Sequence, residues 1–113
     1  MHNLIAYNIK LYNASNGRVP FTDWLESLKD RSARFKIKIR LDRISLGNLG
    51  NYKSVGDGVL ELKIDYGPGY RIYFSIQARS VVLLLAGGDK ASQAKDIKRA
   101  KSYLQDFNFN MSN

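Results

Sequence analysis

Apolar and polar residues alternate with a period of two near the start of the chain. Ile5, Tyr7, Ile9 and Leu11 fall on one side and Ala6, Asn8, Lys10 and Tyr12 on the other, which predicts a strand over Ile5–Tyr12. The turn composition of "NASNGR" ends it. The period then changes in "VPFTDWLESLKD". Phe21, Trp24, Leu25 and Leu28 recur at the i, i+3, i+4, i+7 spacing of an amphipathic helix, with Thr22 as its cap and Asp23 and Glu26 near its positive end.

The stretch "RSARFKIKIRLDRISLGNLGN" satisfies both periods. Strict basic–apolar alternation from Arg34 to Leu41 reads as a strand, while Ala33, Ile37, Leu41 and Ile44 form one helical stripe. Ser32 to Leu46 contains no Gly or Pro, is longer than most strands, and is followed by a Gly-rich stop, so a helix is expected. Phe35 and Ile39 then lie opposite the stripe and are expected to be buried within the domain.

The second half is strand-like. Leu60, Leu62 and Ile64 share one face and Glu61, Lys63 and Asp65 the other. After the "YGPG" turn, Tyr70, Ile72 and Phe74 form an apolar set and Arg71, Tyr73 and Ser75 a polar one. "SVVLLLAGG" suits a central strand buried on both faces. A terminal helix follows, with Ala94, Ile97, Ala100 (or Lys101) and Leu104 on its apolar side, and then a disordered tail from about residue 108. The expected architecture is a single α+β domain over 1–113. It has the order βααβββ(α), with an N-terminal helical hairpin packed on one face of a mainly antiparallel sheet.

Composition fits a folded domain, with 44% hydrophobic and 12% aromatic residues. The absence of Cys excludes disulfides and thiolate metal sites, and the single His, His2, leaves no histidine dyad or histidine metal cluster. No apolar run is long enough for a bilayer, and the N-terminus reads as a strand, not a signal peptide. A soluble intracellular protein is therefore expected. Charge is more informative: 18 Lys and Arg against 10 Asp and Glu give a net +8, which points to an anionic partner. Six of the basic residues lie between Arg31 and Arg43.

With the helical hairpin on the apolar face, Glu61, Lys63, Arg71 and Tyr73 are expected to face solvent together, with Lys53 in the preceding loop and Lys90 at the sheet's end. Arg and Lys hold phosphate, Tyr stacks on a base or donates a proton, and RNA carries its own nucleophile in the 2′-OH, so no metal is required. Cross-strand charge pairing on a wet sheet face accounts for the same residues at least as well. Arg71→Ala is expected to abolish toxicity with little loss of folding because the side chain faces solvent; burial of Arg71 in a structural ion pair would make the site assignment wrong.

The blocks "GNLGNYKSVGDGVLELKIDYGPGYRIYF" and "LLLAGGDKASQAKDI", preceded by "FTDWLESLKD", resemble the addiction-module killer proteins. These are a HigB-like branch of the RelE/ParE toxin superfamily of bacterial type II toxin–antitoxin modules. The resemblance runs from about Ile9 to Asp106. It implies a RelE-like βααβββ(α) fold and metal-independent, ribosome-dependent cleavage of mRNA in the cytoplasm. It also implies neutralisation by a helix-turn-helix (HigA-like) antitoxin in a hetero-oligomer, with no cofactor and no membrane.

Carried over by residue, the resemblance gives Arg71 from "GYR", Lys63 on the second strand and Lys90 after the last one. Glu61 or Lys53 would assist proton transfer and Tyr73 would stack or orient. Arg34, Lys36, Lys38, Arg40 and Arg43 would dock on ribosomal RNA. Two departures stand out: Asp96 occupies the tail position where RelE has a Tyr, and the histidines of other members have no counterpart. A ParE-like gyrase inhibitor acting by protein contact and a non-catalytic RNA-binding module remain as alternatives.

Overall fold

A computed structural model of the chain describes residues 6–112, so His2 and the Ile5 end of the first predicted strand lie outside the described residues. The elements are β1 (Asn8–Leu11), α1 (Pro20–Ser27), α2 (Arg31–Ser45), β2 (Tyr52–Gly56), β3 (Val59–Ile64), β4 (Tyr70–Gln77), β5 (Val81–Gly88) and α3 (Gln93–Met111). The strands form one five-stranded sheet in the order β1-β5-β4-β3-β2. β1 runs parallel to β5, and the other neighbours are antiparallel.

This corrects the expected βααβββ(α) architecture in three ways. Four strands follow the helical pair instead of three, because "YKSVG" forms the edge strand β2. The sheet is mixed, with β1 laid parallel on β5. Both faces are covered, since α3 closes the side that was expected to be open. β2 carries few apolar residues and is largely exposed, so it owes its strand form to pairing with β3 and not to a pattern of its own. The "GDG" turn enforces that pairing: Asp57 and Gly58 both have positive φ (55° and 83°), as a tight two-residue hairpin requires.

On one face, Phe21 of α1 and Ala33, Ile37 and Ile44 of α2 bury against Leu62, Ile72, Phe74 and Leu84. The predicted stripes of both helices thus become the core. On the other face, Ala100 and Leu104 of α3 bury against Val59, Tyr73, Leu83 and Leu85. A bulge at the centre of the β4–β5 pairing places Tyr73 opposite Ala86 but Phe74 opposite Leu84, so Leu85 and Ala86 both join the α3 side.

Beyond the bulge, Gly87 lets the Trp24 indole lie on the backbone from one face, and Gly88 does the same for Asp96 and Ser92 from the other.

Three local expectations are also corrected. α1 starts at Pro20 after Val19, with no side-chain cap, because Pro supplies the helical φ of the first turn and Thr22 already lies inside the helix. Phe35 is 65% exposed, since α2 turns only its Ala33–Ile37–Ile44 stripe inward. The tail from about residue 108 continues α3 to Met111. Among the described residues no helix is long and apolar enough to cross a membrane.

Candidate functional site

Strand register brings the predicted side chains together. Lys53 pairs across with Glu61, Glu61 with Tyr73, and Lys63 with Arg71, so three neighbouring strands present them on the α3 side of the sheet. α3 covers only part of that side. Under it Tyr73 is fully buried and Glu61 is 4% exposed. Beyond its edge the lysines reach solvent.

Glu61 is the hub. Its Oε2 accepts hydrogen bonds from the Tyr73 hydroxyl (2.9 Å) and from Gln93 Nε2 (2.9 Å). Arg71 Nε lies 3.8 Å from the same oxygen, while Lys53 Nζ lies 3.7 Å from Oε1. Burial, reinforced by the bond to Glu61, raises the Tyr73 phenol far above its ordinary range, so it stays protonated as a donor. Tyr73 therefore has no accessible ring on which a base could stack, contrary to the sequence-based expectation.

Arg71 does not face solvent either. It is 7% exposed, its Nη1 donates to the Gly69 carbonyl (2.8 Å), and its buried Nε has no hydrogen-bond partner. The reason is local: the β3–β4 turn folds back over the guanidinium while α3 covers Glu61 beside it. Its burial beside Glu61 overturns the assignment of Arg71 as a solvent-facing phosphate ligand. It is a buried cation in a loose ion pair, held beneath the rims of two open grooves.

Lys63, Arg71 and Lys90 line the first groove, of about 390 Å³, together with the Tyr66–Gly69 turn. Tyr52, Lys53, Glu61, Lys63 and Arg71 line the second, of about 310 Å³. Lys53 and Lys63 are well exposed (69% and 54% of the side chain). Lys63 contacts the exposed Asp65 at 3.3 Å, a surface pair of little energetic weight. Lys90 is exposed and forms no ion pair among the described residues.

Of the predicted basic helix, Lys36, Arg40 and Arg43 line a further groove against the β3–β4 turn. Arg34 instead donates to the Leu28 carbonyl and braces the α1–α2 connection. Lys38 is exposed and lines none of the grooves described.

Sequence reasoning missed Gln93, which reaches Glu61 from α3 across 32 residues of chain. No local pattern signals such a contact. It also missed Tyr52, which reads as a loop residue until β2 is known. Asp96 sits away from the grooves, 6% exposed and hydrogen-bonded by Ser92 Oγ. It borders a further concavity, about 700 Å³ between α1 and α3, where acidic and basic side chains are mixed and none of the predicted catalytic residues lies.

No family model matches the chain. An uncharacterized protein of Haemophilus influenzae is 50% identical over 86 residues, which is 76% of this chain and 87% of that protein. At that identity and coverage, the chain belongs to the same family as the Haemophilus influenzae protein.

Proposed function

We propose that the protein is a metal-independent endoribonuclease that cleaves mRNA at the ribosome, acting in the cytoplasm as the toxin of a type II toxin–antitoxin module. A helix-turn-helix antitoxin would neutralise it in a hetero-oligomer. The observation that carries this reading is a pair of adjoining open grooves that share Lys63 and Arg71: one holds Glu61 with Lys53 at 3.7 Å, the other adds Lys90. The resemblance of the "GYRIYF" and "LLLAGGDK" blocks to toxins of the RelE/ParE superfamily supports the same assignment.

The chemistry follows from atom positions. Oε2 of Glu61 is engaged by Tyr73 and Gln93, which leaves Oε1, faced by the exposed Lys53 side chain on the wall of the second groove, to accept the proton of an RNA 2′-OH. The 2′-oxygen attacks the adjacent phosphorus, the P–O5′ bond breaks, and an ammonium of Lys63 or Lys90 donates a proton to the departing 5′-oxygen. The products are a 2′,3′-cyclic phosphate and a 5′-hydroxyl. Lys63 and Lys90, with Arg71 behind them, offset the charge that builds on the phosphorane.

One observation favours a second reading. Tyr73 and Glu61 are tied to each other under α3, a structural arrangement that a non-catalytic RNA-binding module would share. Purified ribosomes translating a defined mRNA separate the two. Wild type should generate new mRNA ends, and Lys63→Ala/Lys90→Ala should not. RNA binding without new ends favours the second reading, and intact mRNA with inhibited gyrase supercoiling favours a ParE-like protein.

A further inference from the structure

The two cleavage grooves are not isolated. The groove along α2 shares Asp65 and Tyr66 with the Lys63–Lys90 groove, which in turn shares Lys63 and Arg71 with the Lys53 groove. Three open concavities therefore form one track. Its α2 wall carries Lys36, Arg40 and Arg43, at i, i+4 and i+7 on one helical face, and Ile39 and Ile64 also line it. Among the described residues none of these three cations is ion-paired to a carboxylate. At the junction, Lys36 Nζ stands 5.0 Å over the Tyr66 ring, which puts a cation and an aromatic where the track changes direction.

Direction identifies the ligand. α2 packs on one face of the sheet, whereas Lys63 and Arg71 belong to the side that α3 partly covers, so the track bends around the end of the β3–β4 hairpin. The domain measures only 42 × 40 × 24 Å. A duplex with a persistence length of about 50 nm does not follow a bend on that scale, whereas a single strand does. Cations spaced along a groove, with an aromatic between them, suit successive phosphates and a base of such a strand.

Resting on the reading above, we propose that the α2–Tyr66 groove is an extension subsite for single-stranded RNA, holding the strand that flanks the cleavage grooves. This differs from docking of α2 on ribosomal RNA helices.

The test uses the full chain and fluorescent 2′-O-methyl RNAs, which cannot be cleaved through the 2′-oxygen. A trinucleotide fills the cleavage grooves alone and a nonanucleotide reaches α2. Wild type should bind the nonanucleotide at least about tenfold more tightly, a gain that follows from added phosphate contacts. Lys36→Ala/Arg40→Ala should remove that gain and lower the salt slope for the longer RNA by about 1.4, at ~0.7 per phosphate contact. Binding of the trinucleotide should be unchanged.

Lys95→Ala/Lys98→Ala, which removes the same charge from exposed positions on α3, should retain the gain. Lys63→Ala/Lys90→Ala should weaken the trinucleotide. If that last variant has no effect while the length-dependent gain persists, the cleavage-site reading fails and the track stands. Equal binding of both RNAs, loss of the gain with the α3 variant, competition by a blunt RNA duplex as strong as by the single strand, or no binding of either RNA would each overturn the track.

Discussion

Replacing Tyr73 by Phe isolates the one hydrogen bond that decides whether this residue belongs to the scaffold or to the chemistry. The ring is fully buried against Val59, Leu83 and Leu85, so Phe keeps the packing and leaves no cavity. What is lost is the 2.9 Å bond to Glu61 Oε2, leaving that oxygen with Gln93 and the distant Arg71 Nε. A hydrogen bond to a charged partner contributes about 1.5–3 kcal/mol net. At roughly 4 °C per kcal/mol for a domain of this size, the melting temperature should fall by about 6–12 °C. Urea denaturation should give the same loss with an unchanged slope. Below the new transition, ribosome-dependent cleavage should persist, because the phenol is held protonated and out of reach of substrate. A variant as stable as wild type that no longer cleaves would refute this reasoning and return Tyr73 to the catalytic set.

Arg71→Ala should destabilise the fold by about 1–3 kcal/mol, because Glu61 keeps its carboxylate buried while losing a cation, and Arg71→Lys should recover part of that loss in urea titrations. Gly87→Ala drives a methyl into the Trp24 indole and should cost about 1–3 kcal/mol, with a change in the emission of the single tryptophan as the readout. Tyr12, buried and donating to Asp106 at 2.6 Å, has its phenol pushed up to about 12, first by burial and then by that carboxylate. Its folded pKa lies above the unfolded value of about 10, so its contribution is complete below pH ~10 and disappears as pH rises toward 12. The stability advantage of wild type over Tyr12→Phe should shrink across that window in urea titrations, and a constant difference would contradict the assignment.

Much of the fold was legible wherever one period ruled. Phe21, Trp24, Leu25 and Leu28 announced α1. The Ala33–Ile37–Leu41–Ile44 stripe correctly outweighed the basic–apolar alternation of the same segment. β2 was not legible because an exposed edge strand has no buried face to impose alternation. The covered second face had left a trace. "VVLLLA" is apolar on both sides, which requires a layer on each, and α3 supplies the second.

That layer also explains the site. Alternation correctly put Glu61, Lys63, Arg71 and Tyr73 on one side, but it carries no information on which of them a later helix buries. Gln93, on which the Glu61 arrangement depends, was invisible for the same reason: its role exists only in the tertiary contact.

In the proposed reaction a carboxylate flanked by lysines lets RNA cut itself through its own 2′-oxygen. The most direct measurement is the chemistry of the ends that the protein leaves on ribosome-bound mRNA. The ends should be a 2′,3′-cyclic phosphate or its 3′-phosphate hydrolysis product facing a 5′-hydroxyl, with no cut where the attacking nucleotide lacks its 2′-OH. A 5′-phosphate end or a cut at a 2′-deoxy nucleotide would contradict that reaction.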